Sequence, residues 1–181
     1  MPDAPEDGAH VFAPTAWKDI KVGSIVKVRE NENFPCDLVI LNSSLPKGIC
    51  YVETKNLDGE TNLKHKQADR EAAKLAQNDY AVARNFSVAE IECEKANASI
   101  YTFTGMLKVK GQTCPIDIDN VLLRGSSLRN TEWIYGVAVY TGHDTKVMMN
   151  STNSKTKMSK IERSSNWYIL MTICLQAILS L

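Results

Sequence analysis

Residues 36–64 read CDLVILNSSLPKGICYVETKNLDGETNLK, and two features of this stretch decide the fold. The run Leu38-Val39-Ile40-Leu41 offers no polar position, as a strand buried on both faces requires. Pro35 lies just before it, a position a strand tolerates. Residues 48–54, GICYVET, form a second extended segment. That segment runs directly into a glycine-centred turn, Leu57-Asp58-Gly59-Glu60-Thr61.

Strand signals continue on both sides. Residues 21–29 alternate, with Val22, Val26 and Val28 on one face. Residues 66–84 are dominated by Ala, Glu, Lys, Gln and Leu, which predicts one or two helices. Ala72, Leu75, Ala76, Tyr80 and Ala83 fall near one face of them. Residues 86–93 read as extended, and residues 99–110 alternate with Tyr101, Phe103, Leu107 and Val109 inward. Residues 121–123 and 133–140 complete the strands, while Gly111, Pro115, Gly125 and Gly142 punctuate them. Tyr101, Phe103 and Trp133 are expected in the core. The fold class is therefore mainly β with a helical insert (α+β), arranged as a β-sandwich or jelly-roll-like barrel.

Bulk properties narrow the class further. The chain has 181 residues, enough for one domain and a tail. Apolar residues make up 44% and charged residues 23%, as in ordinary globular proteins. The formal net charge is zero, so no global field directs the chain to nucleic acid. Five cysteines, Cys36, Cys50, Cys93, Cys114 and Cys174, form no C-x-x-C pair and read as reduced thiols. His10, His65 and His143 are scattered and suggest no metal site.

The two ends differ. Residues 1–16 are polar at first, with no signal-peptide pattern, and read as a flexible lead-in to a domain over residues 17–148. Residues 149–166 read as a polar linker carrying Lys155, Lys157, Lys160 and Arg163. Residues 167–181, WYILMTICLQAILSL, carry no charge. As a helix they would extend about 22 Å, less than the ~30 Å hydrocarbon core. They read either as the start of a transmembrane helix or as an apolar helix docked on the domain. The unbroken apolar face, the basic cluster before it and the Trp167-Tyr168 pair favour the membrane.

Chemistry concentrates in the turn, where Asp58 and Glu60 flank Gly59. Taken alone, Asp-Gly is an ordinary hairpin turn, and an exposed glutamate after it carries no function. The other reading is a carboxylate projected from a tight turn, able to orient and deprotonate a water. Arg124 and Arg129 pose a similar choice between a phosphate site and a turn bearing exposed arginines. The turn is the simpler reading.

The segment YVETKNLDGETNLK, residues 51–64, resembles the actuator-domain signature of the type-IV P-type ATPases, the phospholipid flippases. The Asn62-Leu63-Lys64 tail is the flippase form, whereas cation pumps carry Thr-Gly-Glu-Ser. Trp17 with Ile20-Lys21-Val22-Gly23, Phe34-Pro35-Cys36-Asp37, Tyr101-x-Phe103-x-Gly105, Leu122–Thr131 and Tyr140–Lys146 are also similar to that family. Ser24 and Ala96 stand where the family commonly has aspartate and proline.

This resemblance implies a distorted jelly-roll, or double-stranded β-helix, actuator domain followed by a transmembrane helix. It implies that Glu60 is the general base that hydrolyses an aspartyl-phosphate on a separate domain. Gly59 would permit close approach, Thr61 would orient water or a phosphate oxygen, and Asp58 would hold the loop or face the magnesium region. The phosphorylated Asp-Lys-Thr-Gly-Thr motif and a P-loop pattern are both absent, so no cofactor is expected on this segment. Mg2+ and ATP would serve the full-length pump, a multi-pass membrane protein with this domain on the cytoplasmic side. Expected partners are the phosphorylation and transmembrane domains, membrane phospholipid and an accessory subunit. Residues 149–166 would transmit rotation to the membrane helix, and their lysines would either meet anionic headgroups or stay solvated. The alternatives are a cation or polypeptide pump and a stand-alone β-rich interaction module.

Overall fold

The computed structural model describes residues 12–151 and 160–180. A central antiparallel sheet is built from β1 (Ile25–Arg29), β2 (Asp37–Ser43), β8 (Val121–Leu122) and β10 (Trp133–Tyr140), in the order β1-β10-β2-β8. A second sheet holds β3 (Ile49–Glu53), β4 (Lys64–Gln67) and β9 (Ser127–Arg129), in the order β4-β3-β9. A third is the meander of β5 (Glu90–Cys93), β6 (Thr104–Val109) and β7 (Gln112–Asp117). The helical insert lies between β4 and β5 as α2 (Arg70–Leu75) and α3 (Asp79–Phe86).

β2 organises these layers. Its alternate residues Leu38 and Ile40 enter a core with Cys50 and Val52 of β3, Leu122 and Leu128. Val39 and Leu41 enter a different core with Ala72, Ala76, Val82 and Phe86 of the insert and Leu107 of β6. The apolar run therefore has no solvent face. Each fully buried aliphatic side chain contributes about 1.5–3 kcal/mol of transfer free energy.

The insert consists of two helices separated by a capped break. The Asp69 carboxylate accepts from the N–H groups of Glu71 and Ala72, and Asn78 caps α3 through Ala81 N–H at 2.8 Å. Lys66 and Gln67 belong to β4 and not to the helices. Ala72 and Ala76 are buried as expected, but Tyr80 is exposed, because the break rotates α3 so that Val82 and Phe86 face inward.

Other expectations are also corrected. Residues 21–24 form a turn, with Gly23 at φ 85° and Lys21 N–H donating to Ser24 Oγ, so Val22 is exposed and the strand begins at Ile25. Ser24 thus caps its own turn. Phe86 ends α3, and extension starts only at Glu90. Tyr101 is 72% exposed, because regular pairing in β6 begins at Thr104, leaving Phe103, Leu107 and Val109 inward. β7 contains Pro115, read from sequence as a break. It lies on a sheet edge, where proline is tolerated. The five cysteines are free.

A buried polar node ties β2 to the chain after β10. The Asp37 carboxylate, fully buried, accepts from Arg124 N–H at 2.8 Å and Lys146 N–H at 2.7 Å. Burial pushes its carboxyl above the ordinary range, against the pull of those two N–H groups. The Lys146 side chain is also fully buried, and its Nζ donates to Glu94 Oε1 at 3.0 Å and Asn97 Oδ1 at 2.8 Å. The ammonium lies 5.8 Å from the ring centroids of Phe103 and Tyr140.

After this node come α4 (Lys146–Ser151) and α5 (Lys160–Leu179). The expected linker centre, including Lys155 and Lys157, and most of the expected lead-in lie outside the described residues. Trp167, Leu170, Ile173 and Leu179 of α5 are exposed, so the helix does not dock on the domain core. No helix among the described residues is long and apolar enough to cross a membrane.

Lys146→Ala is expected to lower stability to urea by about 2–4 kcal/mol, since it strands Glu94 and leaves a cavity. Lys95→Ala, which removes an exposed lysine, is expected to change it by less than about 0.5 kcal/mol.

Candidate active site

The turn that follows β3 starts as a helix. β3 ends in Glu53, whose Oε2 accepts from Arg129 Nε at 3.0 Å and Nη2 at 2.8 Å. Arg129 Nη1 also donates to Asn31 Oδ1 at 2.5 Å. Arg129 is thus a strut between β9 and β3. Arg124 spends its guanidinium on Gly142 O at 2.8 Å. The two guanidinium groups thus bond to different parts of the chain.

From Thr54 the chain makes one helical turn, α1 (Lys55–Asp58). Gly59 ends it in the left-handed region, at φ 76° and ψ 0°, with its N–H donating to Lys55 O at 3.0 Å. This is a helix C-terminus closed by glycine and not a hairpin turn. A Cβ on Gly59 would meet nothing within 4 Å, so the need for glycine here is conformational and the loop tip is bare.

Asp58 is the brace of this loop. Its carboxylate accepts from Thr54 Oγ1 at 3.0 Å, from Lys64 Nζ at 2.5 Å and from Glu60 N–H at 3.0 Å. Thr54 lies one helical turn before it, and Lys64 opens β4, so one carboxylate pins both ends of the loop. The Lys64 ammonium is the main cause that holds the Asp58 carboxyl below the ordinary range, and Asp58 in turn raises Lys64.

Glu60 is presented differently. Its side chain is 60% exposed, while that of Asp58 is only 14% exposed. Its backbone is fixed through the bond to Asp58, and its Oε2 lies 3.3 Å from Lys64 Nζ. Thr61 is exposed beside it. The structure therefore places the four sequence-selected residues on one tip with separate surroundings. Asp58 is turned inward, whereas Glu60 and Thr61 are exposed next to the bare Gly59.

Behind the loop lies a cavity of ≈ 200 Å³, walled by Leu57, Asp58, Lys64 and Lys66 on the loop side and Leu122 and Leu123 beneath. Leu57 approaches Gly125, which seats α1 against the β8–β9 connection.

Sequence reading selected Asp58 but missed its partners. Thr54 lies four residues before Asp58, the i,i+4 spacing of a helical turn. The same spacing separates Glu60 from Lys64.

No protein-family model matches the chain. Known proteins do match it. Over 166 residues it is 51% identical to phospholipid-transporting ATPase 6 of Arabidopsis thaliana, which covers 92% of this chain and 13% of that relative. It is 43% identical to phospholipid-transporting ATPase 10 of the same organism over 174 residues, covering 96% of the chain and 14% of the relative. It is 45% identical over 166 residues to a phospholipid-transporting ATPase of Schizosaccharomyces pombe, covering 91% and 13% respectively. The chain thus spans a small segment of each relative it matches.

The brace has a defined pH response. With its folded pKa depressed, Asp58 stabilises the loop above the unfolded value of ~3.9, and that contribution is lost as pH falls through the folded value. The loop is therefore intact at neutral pH. An NMR titration that follows the Asp58 carboxyl carbon is expected to show a midpoint below ~3.9, and a midpoint above it would remove Asp58 as the brace.

Proposed function

The chain belongs to the phospholipid-transporting ATPase family, and from that premise we propose that it is the actuator domain of a phospholipid-translocating P-type pump. Its task is to hydrolyse the aspartyl-phosphate formed on the pump's phosphorylation domain, coupling that step to lipid movement into the cytoplasmic leaflet. The observation that carries this reading is the division of labour at the loop tip. One carboxylate is consumed in bracing, and the next is held outward beside a glycine without a side chain.

The domain rotates and lays the tip of residues 58–61 against the acyl-phosphate. Gly59 permits contact where a side chain would collide. Glu60 accepts a proton from water as the water oxygen bonds to phosphorus. The phosphorus–oxygen bond to the aspartyl group breaks, the carboxylate leaves with the electron pair, and inorganic phosphate departs. The Thr61 hydroxyl orients the water or a phosphate oxygen. Phosphoryl transfer depends chiefly on positioning and charge, so a rigid domain carrying one placed carboxylate suffices.

Magnesium and ATP belong elsewhere in this scheme. Among the described residues no group of three or more histidine, cysteine or carboxylate side chains is suited to a metal ion. Asp58, the one inward carboxylate of the loop, is already bonded to Lys64 and Thr54.

In the same reading the domain lies on the cytoplasmic side of a multi-pass membrane protein. α5 leads into the membrane, and α4 transmits the rotation. The pump's phosphorylation and transmembrane domains are the immediate partners, with membrane phospholipid as cargo and an accessory subunit as a further partner. The relatives, phospholipid-transporting by name, favour a lipid pump over a cation or polypeptide pump.

Glu60→Gln in the pump that carries this segment is expected to leave phosphoenzyme formation intact and slow its hydrolysis at least ~100-fold. Phosphoenzyme decay after a chase with unlabelled ATP measures this. Decay at the normal rate would remove Glu60 from the role.

A further inference from the structure

Lys64 lies between the two carboxylates of the loop, but its relations to them are unequal. Its Nζ is 2.5 Å from Asp58 Oδ2 and 3.3 Å from Glu60 Oε2. Thr54 in turn holds Asp58 through both carboxylate oxygens, at 3.0 Å each. A chain of contacts thus runs Thr54–Asp58–Lys64–Glu60, from the end of β3 to the exposed tip. β4 anchors it at the other end, since Lys64 pairs with Val52 of β3.

We infer that Lys64 is a positioning residue for hydrolysis, fixing the Glu60 carboxylate so that one oxygen faces the ammonium and the other faces the water. This rests on the reading of Glu60 as the base. Glu60 is 60% exposed and would otherwise sample several rotamers. The lysine attracts Oε2, which leaves Oε1 to accept the proton. Asp58 holds the lysine, so the ammonium is itself fixed. The arrangement has the logic of a base oriented by a third group, with the cation in the middle. The exposed Lys64–Glu60 pair contributes little to folding, whereas the Lys64–Asp58 bond braces the loop locally, apart from both apolar cores. Removal of the ammonium changes the direction of one carboxylate, and loss of alignment by ~1 Å costs on the order of a hundredfold in rate.

The test uses the full pump with four variants compared: Lys64→Met, Lys64→Gln, Lys64→Arg and Glu60→Gln. The two neutral replacements are expected to form phosphoenzyme normally and to slow its decay about 10–100-fold. Lys64→Arg, which keeps the cation, is expected to recover most of the decay rate, a rescue that a purely structural role would not give. Wild-type decay in both neutral variants while Glu60→Gln is trapped overturns the role of Lys64 alone. Slow decay in Lys64→Arg equal to that of Lys64→Met also overturns it. Normal decay in Glu60→Gln overturns the reading of the base and this inference together.

Discussion

Burial of β2 on both faces is the constraint from which the remaining architecture follows. A strand with Leu38 and Ile40 on one side and Val39 and Leu41 on the other must be covered twice. One cover is the sheet of β3, β4 and β9, and the other is the helical insert with the β5–β7 meander. The first cover matters most for chemistry. β3 and β4 are adjacent strands of a rigid layer, and the loop of residues 54–63 is the connection between them. Its two ends therefore cannot drift apart. The Asp37 and Lys146 node then fastens the strand to the segment that leads out to α4 and α5.

On this frame the loop is stiff for local reasons. Three donors converge on the Asp58 carboxylate, from a threonine hydroxyl, a lysine and a backbone N–H. Such charge-assisted bonds are stronger than neutral ones, and here they act on both sides of a four-residue tip. The exposed glutamate has its backbone fixed while its side chain stays accessible to a partner surface. A structural turn has no need of that combination, which is the physical reason to read the tip as a working part.

Much of this was legible in the residues, and the failures have identifiable causes. β2, β3 and β10 were readable because burial on both faces, or strict pattern, left little choice. β7 was missed because Pro115 reads as a break, and only its place on a sheet edge makes it acceptable. Tyr101 and Tyr80 lie outward, against their periodicity, because β6 begins only at Thr104 and the break between α2 and α3 resets the helical face. The site residues on the tip were legible only through family resemblance, since Asp-Gly-Glu alone predicts an ordinary turn. Thr54 and Lys64 were invisible as partners because their contacts depend on one helical turn where a hairpin was expected. Nothing in sequence announces that a lysine will be fully buried between Phe103, Tyr140 and Glu94.

Under the proposed function the Glu60 carboxylate reaches water beside a phosphorylated aspartate of another domain. The most direct measurement is a structure of the whole pump trapped with aluminium fluoride on that aspartate. The account predicts a Glu60 carboxylate oxygen about 2.6–3.2 Å from the water in line with the phosphoryl mimic, with Gly59 in contact with it. A structure in which that water is held by another residue, with the tip of residues 58–61 turned away from the mimic, would contradict it.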